Sequence, residues 1–135
     1  MKLSNIMLSM SCACGVFSAS AAMSGTDPLS LYFNNAREYH HEDGEVHRFL
    51  LEPNHTFAMM VGDKVFAGGT WTYAAAGDEL CTSITTPNPP PAPPGVDPRA
   101  PRCQKAHTDF KPGVWWEEVM GNGMKERQIF VPRQK

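Results

Sequence analysis

Nowhere does the chain carry about 20 consecutive predominantly apolar residues, the length a membrane-crossing helix needs, so no membrane span is expected. Charge of one sign is equally scarce. Twelve basic residues face 14 acidic ones for a formal net charge of −2, a balance that excludes nucleic acid or an anionic membrane surface as the main partner. No repeat of solenoid length is present, and one domain is the natural count. Catalytic signatures are scarce too. Ser30 and Ser83 lack any local nucleophile signature, and Glu117 and Glu118, adjacent on an expected strand, face opposite sides and do not form a carboxylate pair. The expectation is a protein that is not an enzyme.

What the opening does contain is specific. Residues 1–22 have one positive charge at Lys2, no acidic residue, a small and apolar middle, and the small-residue stretch Ala19-Ser20-Ala21-Ala22. This is the pattern of an export signal, with Cys12 and Cys14 as the acylation points of a lipid-anchored alternative. Cleavage leaves residues 23–135 as a single β domain in a periplasmic or secreted setting. It also reduces the four cysteines to Cys81 and Cys103. An even count in an oxidising compartment predicts a disulfide between them, closing a loop of about 22 residues and contributing roughly 3 kcal/mol on chain-entropy grounds.

Periodicity then gives the fold. Asp27 as a cap, Pro28 at the first turn and Leu29, Tyr32 and Phe33 on one side predict a short helix over 27–35. Downstream, short runs rich in Val, Phe, Thr, Trp and Ile alternate with Gly, Asp, Asn and Pro every eight to twelve residues. Strands are expected at 36–42, 45–52, 56–61, 64–74, 79–86, 103–109, 113–120 and 124–132. The fold class is therefore mainly β: an antiparallel meander of about eight strands forming a small barrel or a curled half-barrel. Residues 86–102 hold eight of the twelve prolines and cannot join a ladder. They form a Pro-rich surface loop, either a ligand for a polyproline-binding groove or a stiff excursion braced by the disulfide.

Two constellations carry chemistry. In YHHEDGEVH, residues 39–47, a two-residue turn at Asp43-Gly44 would pair Glu42 with Glu45 and His40 with His47, placing all four on one face. Two imidazoles and two carboxylates suit Zn or Cu. The bland alternative is a solvated hairpin end, and a register slip of one residue would scatter the four groups. The second constellation is soft: Met59, Met60, Met120 and Met124 near Trp115 and Trp116, a set that suits Cu(I), with Met59 and Met60 on opposite faces. Phe57, Phe66, Trp71 and Trp115 are candidates for an apolar pocket in the barrel mouth.

Asn54-His55-Thr56-Phe57, then Gly69-Thr70-Trp71, Gly77-Asp78-Glu79-Leu80-Cys81, Cys103 and Val114-Trp115 together resemble a pattern of uncharacterised small exported bacterial β-proteins. These are signal-bearing, single-disulfide proteins with Gly-Thr-Trp, Leu-Cys and Cys motifs, and the likeness spans roughly residues 44–132. Pro53-Asn54 departs from the Asp-Gly that usually makes their first turn. The motifs are structural and imply no activity. Lipocalin-like and avidin-like barrels share the meander, but their Gly-x-Trp lies on the first strand, so that analogy concerns architecture alone. The resulting expectation is an exported, disulfide-stapled β-domain acting as a binding or structural accessory protein for a small ligand or a protein. Metal handling and presentation of the Pro-rich loop are the alternatives.

Overall fold

The computed structural model describes residues 27–120 and 123–134; the expected export signal lies outside the described residues. Asp27 organises the first turn, its Oδ1 accepting from the Leu29 amide at 2.9 Å and its carbonyl from the Ser30 amide at 2.8 Å. Helix α1, Ser30–Asn34, follows. It is shorter than the pattern predicts because Asn35 is already extended and turns its side-chain amide back onto the Leu31 carbonyl at 2.8 Å.

Eight strands succeed it: β1 (Asn35–His40), β2 (Val46–Leu51), β3 (Thr56–Val61), β4 (Lys64–Ala74), β5 (Glu79–Ile84), β6 (Arg102–Lys105), β7 (Trp116–Val119) and β8 (Lys125–Pro132). They form one antiparallel sheet in the order β6-β5-β4-β3-β2-β1-β8-β7. Six strands meander, and the last hairpin docks on the far side of β1. Because β6 and β7 are both edges, the sheet is a curled half-barrel and not a closed barrel. Each edge strand is only four residues long, which limits the unpaired ladder it presents.

The two edges are shorter than expected for a physical reason. After β6 the Ala106 amide bonds to the Asp78 carbonyl, His107 takes a positive φ of 57°, and the Gly113 amide bonds to the Phe130 carbonyl. Residues 106–115 thereby leave the ladder and cross the opening between the edges. On the opposite flank, Cys81 and Cys103 stand directly across from each other on β5 and β6 and are bridged. No helix among the described residues is long and apolar enough to cross a membrane.

The core lies between the concave face and α1. Tyr32 projects from the helix into edge-on contact with Phe49 and Phe130, at centroid distances of 6.1 and 5.0 Å, and Leu51, Phe57, Trp71 and Leu80 complete the cluster. The Gly-Thr-Trp segment has a steric explanation here. A Cβ on Gly69 would stand 1.9 Å from the Ser83 carbonyl oxygen, so only glycine lets β4 lie this close to β5. With α1 filling one end of the half-barrel, the other end stays open.

Candidate functional site

The histidine-rich hairpin between β1 and β2 frames that open end, and its register differs from the two-residue turn predicted above. His40 pairs with Val46 and Tyr39 with His47, not His40 with His47. The loop is Glu42-Asp43-Gly44, closed by a His41 amide to Glu45 carbonyl bond of 2.9 Å and a Gly44 amide to His41 carbonyl bond of 3.0 Å. Only Gly44 takes a positive φ, 87°, while Asp43 keeps a negative one and its Oδ1 accepts from the Glu45 amide at 2.9 Å. A two-residue type I′ turn would force both central residues to positive φ, which is costly for aspartate; the three-residue loop places that demand on glycine alone.

One residue of slip exchanges the faces. His40 points to the convex side, donating to Glu38 Oε2 at 2.8 Å beside the Trp115 ring. Glu42 sits in the loop and accepts from the Lys125 amide at 3.3 Å. Of the set His40, Glu42, Glu45 and His47, only Glu45 and His47 meet, through Oε1 and Nε2. Their partner on the concave side is His41. Its Nε2 lies 3.3 Å from His47 Nδ1, and its Nδ1 lies 3.2 Å from Glu126 Oε2.

These side chains end a polar chain that runs the length of the concave face. Fully buried Arg37 on β1 donates through Nε to Gln128 Oε1 at 2.8 Å and through Nη1 to the Tyr32 hydroxyl at 2.8 Å. Tyr32 in turn donates to the Ala106 carbonyl at 2.7 Å. Gln128 donates onward to Glu126 at 2.9 Å, and Glu126 lies within ion-pair distance of His41, 3.2 Å from its Nδ1. A branch passes through Glu118, which accepts from His107 at 2.6 Å and from Trp116 Nε1 at 3.2 Å. Burial works against the charged form of Glu118, but the bond from His107 and the nearby Arg37 outweigh it and hold its carboxyl below the ordinary glutamate value. Burial likewise drives the Tyr32 and Tyr39 hydroxyls upward, against the pull of Arg37. Among the described residues no buried side-chain nitrogen or oxygen lacks a hydrogen-bond partner.

Above this chain lies a cavity of about 370 Å³, walled by Tyr39, Phe49, Met59 and Met120 and edged by His41, His47, Gln104, Arg102 and Glu126. The expected apolar quartet does not build it. Phe57 and Trp71 are core residues, and Phe66 lies beside the His47 ring at 5.0 Å. Trp115 is on the convex side, 42 % exposed, under the Arg127 guanidinium at 4.4 Å. Trp116, not Trp115, points inward, because it pairs with Gln128 and packs on Phe130 at 5.5 Å. Met59 and Met60 do face opposite sides, Met59 lining this cavity and Met60 a groove on the convex face.

Comparison with known proteins yields no matching family model, curated protein or solved structure. Sequence reasoning missed Arg37, His41, Gln128 and Glu126. For His41 the signal lies in the Asp43-Gly44 loop, whose residues suit a three-residue turn as well as a two-residue one. For the β8 residues there was little signal, since Lys125-Glu126-Arg127-Gln128 is polar on both faces and alternation cannot show which side is inward. Among the described residues the one group of three His, Cys, Asp or Glu donors close enough to share a metal ion is Glu79, Cys81 and Cys103, and its two cysteines are taken up by the disulfide.

Proposed function

We propose that this chain is an exported binding protein and not an enzyme, and that its ligand occupies the cavity at the open end of the concave face. The observation that carries the reading is the cavity's wall. Two aromatic rings and two thioethers form an apolar surface, and a few polar groups converge on its rim, the arrangement of most small-molecule sites. The disulfide supports export, because such bridges persist in oxidising compartments. Binding without catalysis is in keeping with the sequence, in which neither Ser30 nor Ser83 has a local nucleophile signature and Glu117 and Glu118 are adjacent on a strand.

Titration of the oxidised protein with anilinonaphthalene sulfonate, an apolar anion, tests this. Saturable fluorescence enhancement is expected, with amide shifts in an NMR spectrum confined to Tyr39, Phe49, Met59 and their neighbours. Met59→Trp, which fills the cavity, should abolish the enhancement and leave the unfolding temperature within a few degrees of the parent. Enhancement that survives in Met59→Trp would place the ligand elsewhere and defeat the reading.

A further inference from the structure

His41 and His47 hold each other's attention for a reason that hydrogen-bond logic makes explicit. An ionised carboxylate only accepts, so a ring nitrogen facing one must carry the hydrogen. Glu126 faces His41 Nδ1 at 3.2 Å, and Glu45 faces His47 Nε2. His47 Nε2 is therefore a donor, and in a neutral ring His47 Nδ1 is a bare lone pair pointed at His41 Nε2 across 3.3 Å. With the hydrogen of His41 on Nδ1, toward Glu126 at ion-pair distance, His41 Nε2 is a second lone pair beside the first, and the two nitrogens can share a cation.

The spacing fits a metal ion. Two imidazole nitrogens at metal distances of 2.0–2.1 Å in a tetrahedral shell are separated by about 3.3 Å. The outer contacts fit as well, since metal-binding histidines commonly donate their second nitrogen to a carboxylate, which fixes the tautomer and the ring orientation. Glu126 is well placed for this, its side chain 4 % exposed and anchored by the Gln128 amide at 2.9 Å. Completing the surroundings, Met59 and Met120 line the same cavity as the two histidines. Thioethers beside imidazoles favour a soft ion. Arg102 is the cationic group on that cavity's wall, and Glu126 and Glu45 offset it.

We infer that His41 and His47 are the imidazole ligands of a copper(I) site at the mouth of the half-barrel, with Met59 and Met120 as its thioether ligands and Glu126 and Glu45 as positioning residues. This assignment rests on the cavity reading above, since it makes the ligand of that cavity a metal ion.

The test is an anaerobic competition titration of the oxidised full chain with Cu(I) held by a bicinchoninate chelator, beside Zn(II), followed by native mass spectrometry. One Cu(I) per chain is expected. His41→Ala and His47→Ala should each weaken binding at least 100-fold, and His40→Ala should not weaken it. Glu126→Gln, which keeps the shape but removes the charge beside His41 Nδ1, should cost 10- to 100-fold. Met59→Leu or Met120→Leu should lower Cu(I) affinity about tenfold and leave Zn(II) unaffected. Should an alanine variant misfold, the imidazole NMR signals of the parent protein give the answer instead: those of His41 and His47 should shift on metal addition, with His40 and His55 as unmoved references. No stoichiometric adduct, an adduct retained in both histidine variants, or Cu(I) binding indifferent to both methionine variants would overturn the assignment. Anilinonaphthalene sulfonate binding in the same preparation separates the two readings: binding of the dye without a metal adduct removes the copper site alone, and loss of both removes the cavity as well.

Discussion

Arg37 and Asp78 show how single polar residues set the terms of this fold. Arg37 is fully buried between β8 and the Tyr32 hydroxyl, with Glu118 at 3.7 Å and the rings of Tyr39 and Trp116 on either side. Removing it leaves Gln128 Oε1 without its Arg37 donors and the Glu118 carboxylate without the guanidinium beside it. Arg37→Met should therefore lower unfolding stability by about 3 kcal/mol in urea denaturation, the cost of breaking one side of a buried charged network. Arg37→Lys should recover only part of it, because an ammonium cannot reproduce the guanidinium fork that reaches Gln128 and Tyr32 together. Asp78 differs in being governed by pH. It takes a left-handed φ of 47°, accepts from the Tyr73 hydroxyl at 2.9 Å and from the Thr108 hydroxyl at 2.7 Å. Burial opposes its charge, but the Thr108 and Tyr73 bonds prevail and hold its pKa below the ordinary 3.8. Its stabilisation is thus complete above 3.8 and is lost as pH falls through the lower folded value. Asp78→Asn keeps a residue that tolerates left-handed backbone and removes only the charge. The variant should lose about 1 kcal/mol at neutral pH, and the difference from the parent should shrink in acid; a gap that stays constant in acid would show that the charge plays no part.

At the scale of elements, the strands were legible and the face each one presents was less so. Short runs set off by Gly, Asp, Asn and Pro marked out all eight strands, and Gly62-Asp63 gave a two-residue link between β3 and β4, where Val61 pairs with Lys64. The β1–β2 hairpin shows the limit. Its turn residues suit two loop lengths, and choosing the shorter one reverses the β1 side chains relative to those of β2, putting His40 where His41 belongs. Hydrophobic patterning could not correct that choice, because both faces of the hairpin are polar near the loop. The same blindness hid the Arg37, Gln128 and Glu126 row, where the inward positions are charged or amide-bearing. Where sterics and not polarity decide, the sequence is more explicit, and Gly69 is the case. Its neighbour across the ladder leaves no room for a methyl group, so Gly69→Ala must push β4 away from β5. An overpacking cost of about 3 kcal/mol is expected, read as a lower urea midpoint with unchanged slope. Gly62→Ala is not an equivalent control, since Gly62 has a φ of 58° and is strained by any side chain.

For the whole molecule, the decisive feature is that the half-barrel is open and its two flanks are secured differently. On one flank residues 106–115 cross to β8 through the Gly113 to Phe130 bond and the Phe110–Trp116 contact at 4.9 Å. On the other, four-residue β6 has a single neighbouring strand, β5, and the Cys81–Cys103 bridge pins it there across a separation of 22 residues. That edge strand also supplies Arg102 and Gln104 to the cavity wall. Reduction releases the Pro-rich loop and frees β6 to fray, so stability and binding should fall together. On chain-entropy grounds the bridge is worth roughly 3 kcal/mol, which in a domain of this size corresponds to a fall in unfolding temperature on the order of 10 °C. A Cys81→Ser, Cys103→Ser double variant should reproduce the fall and should also weaken anilinonaphthalene sulfonate binding. An unchanged unfolding temperature would mean that β5 and the crossing segment hold β6 without covalent help. A lower temperature with unchanged dye binding would mean that the cavity keeps its shape without the staple, and that β1, β2, β3 and β8 suffice to form it.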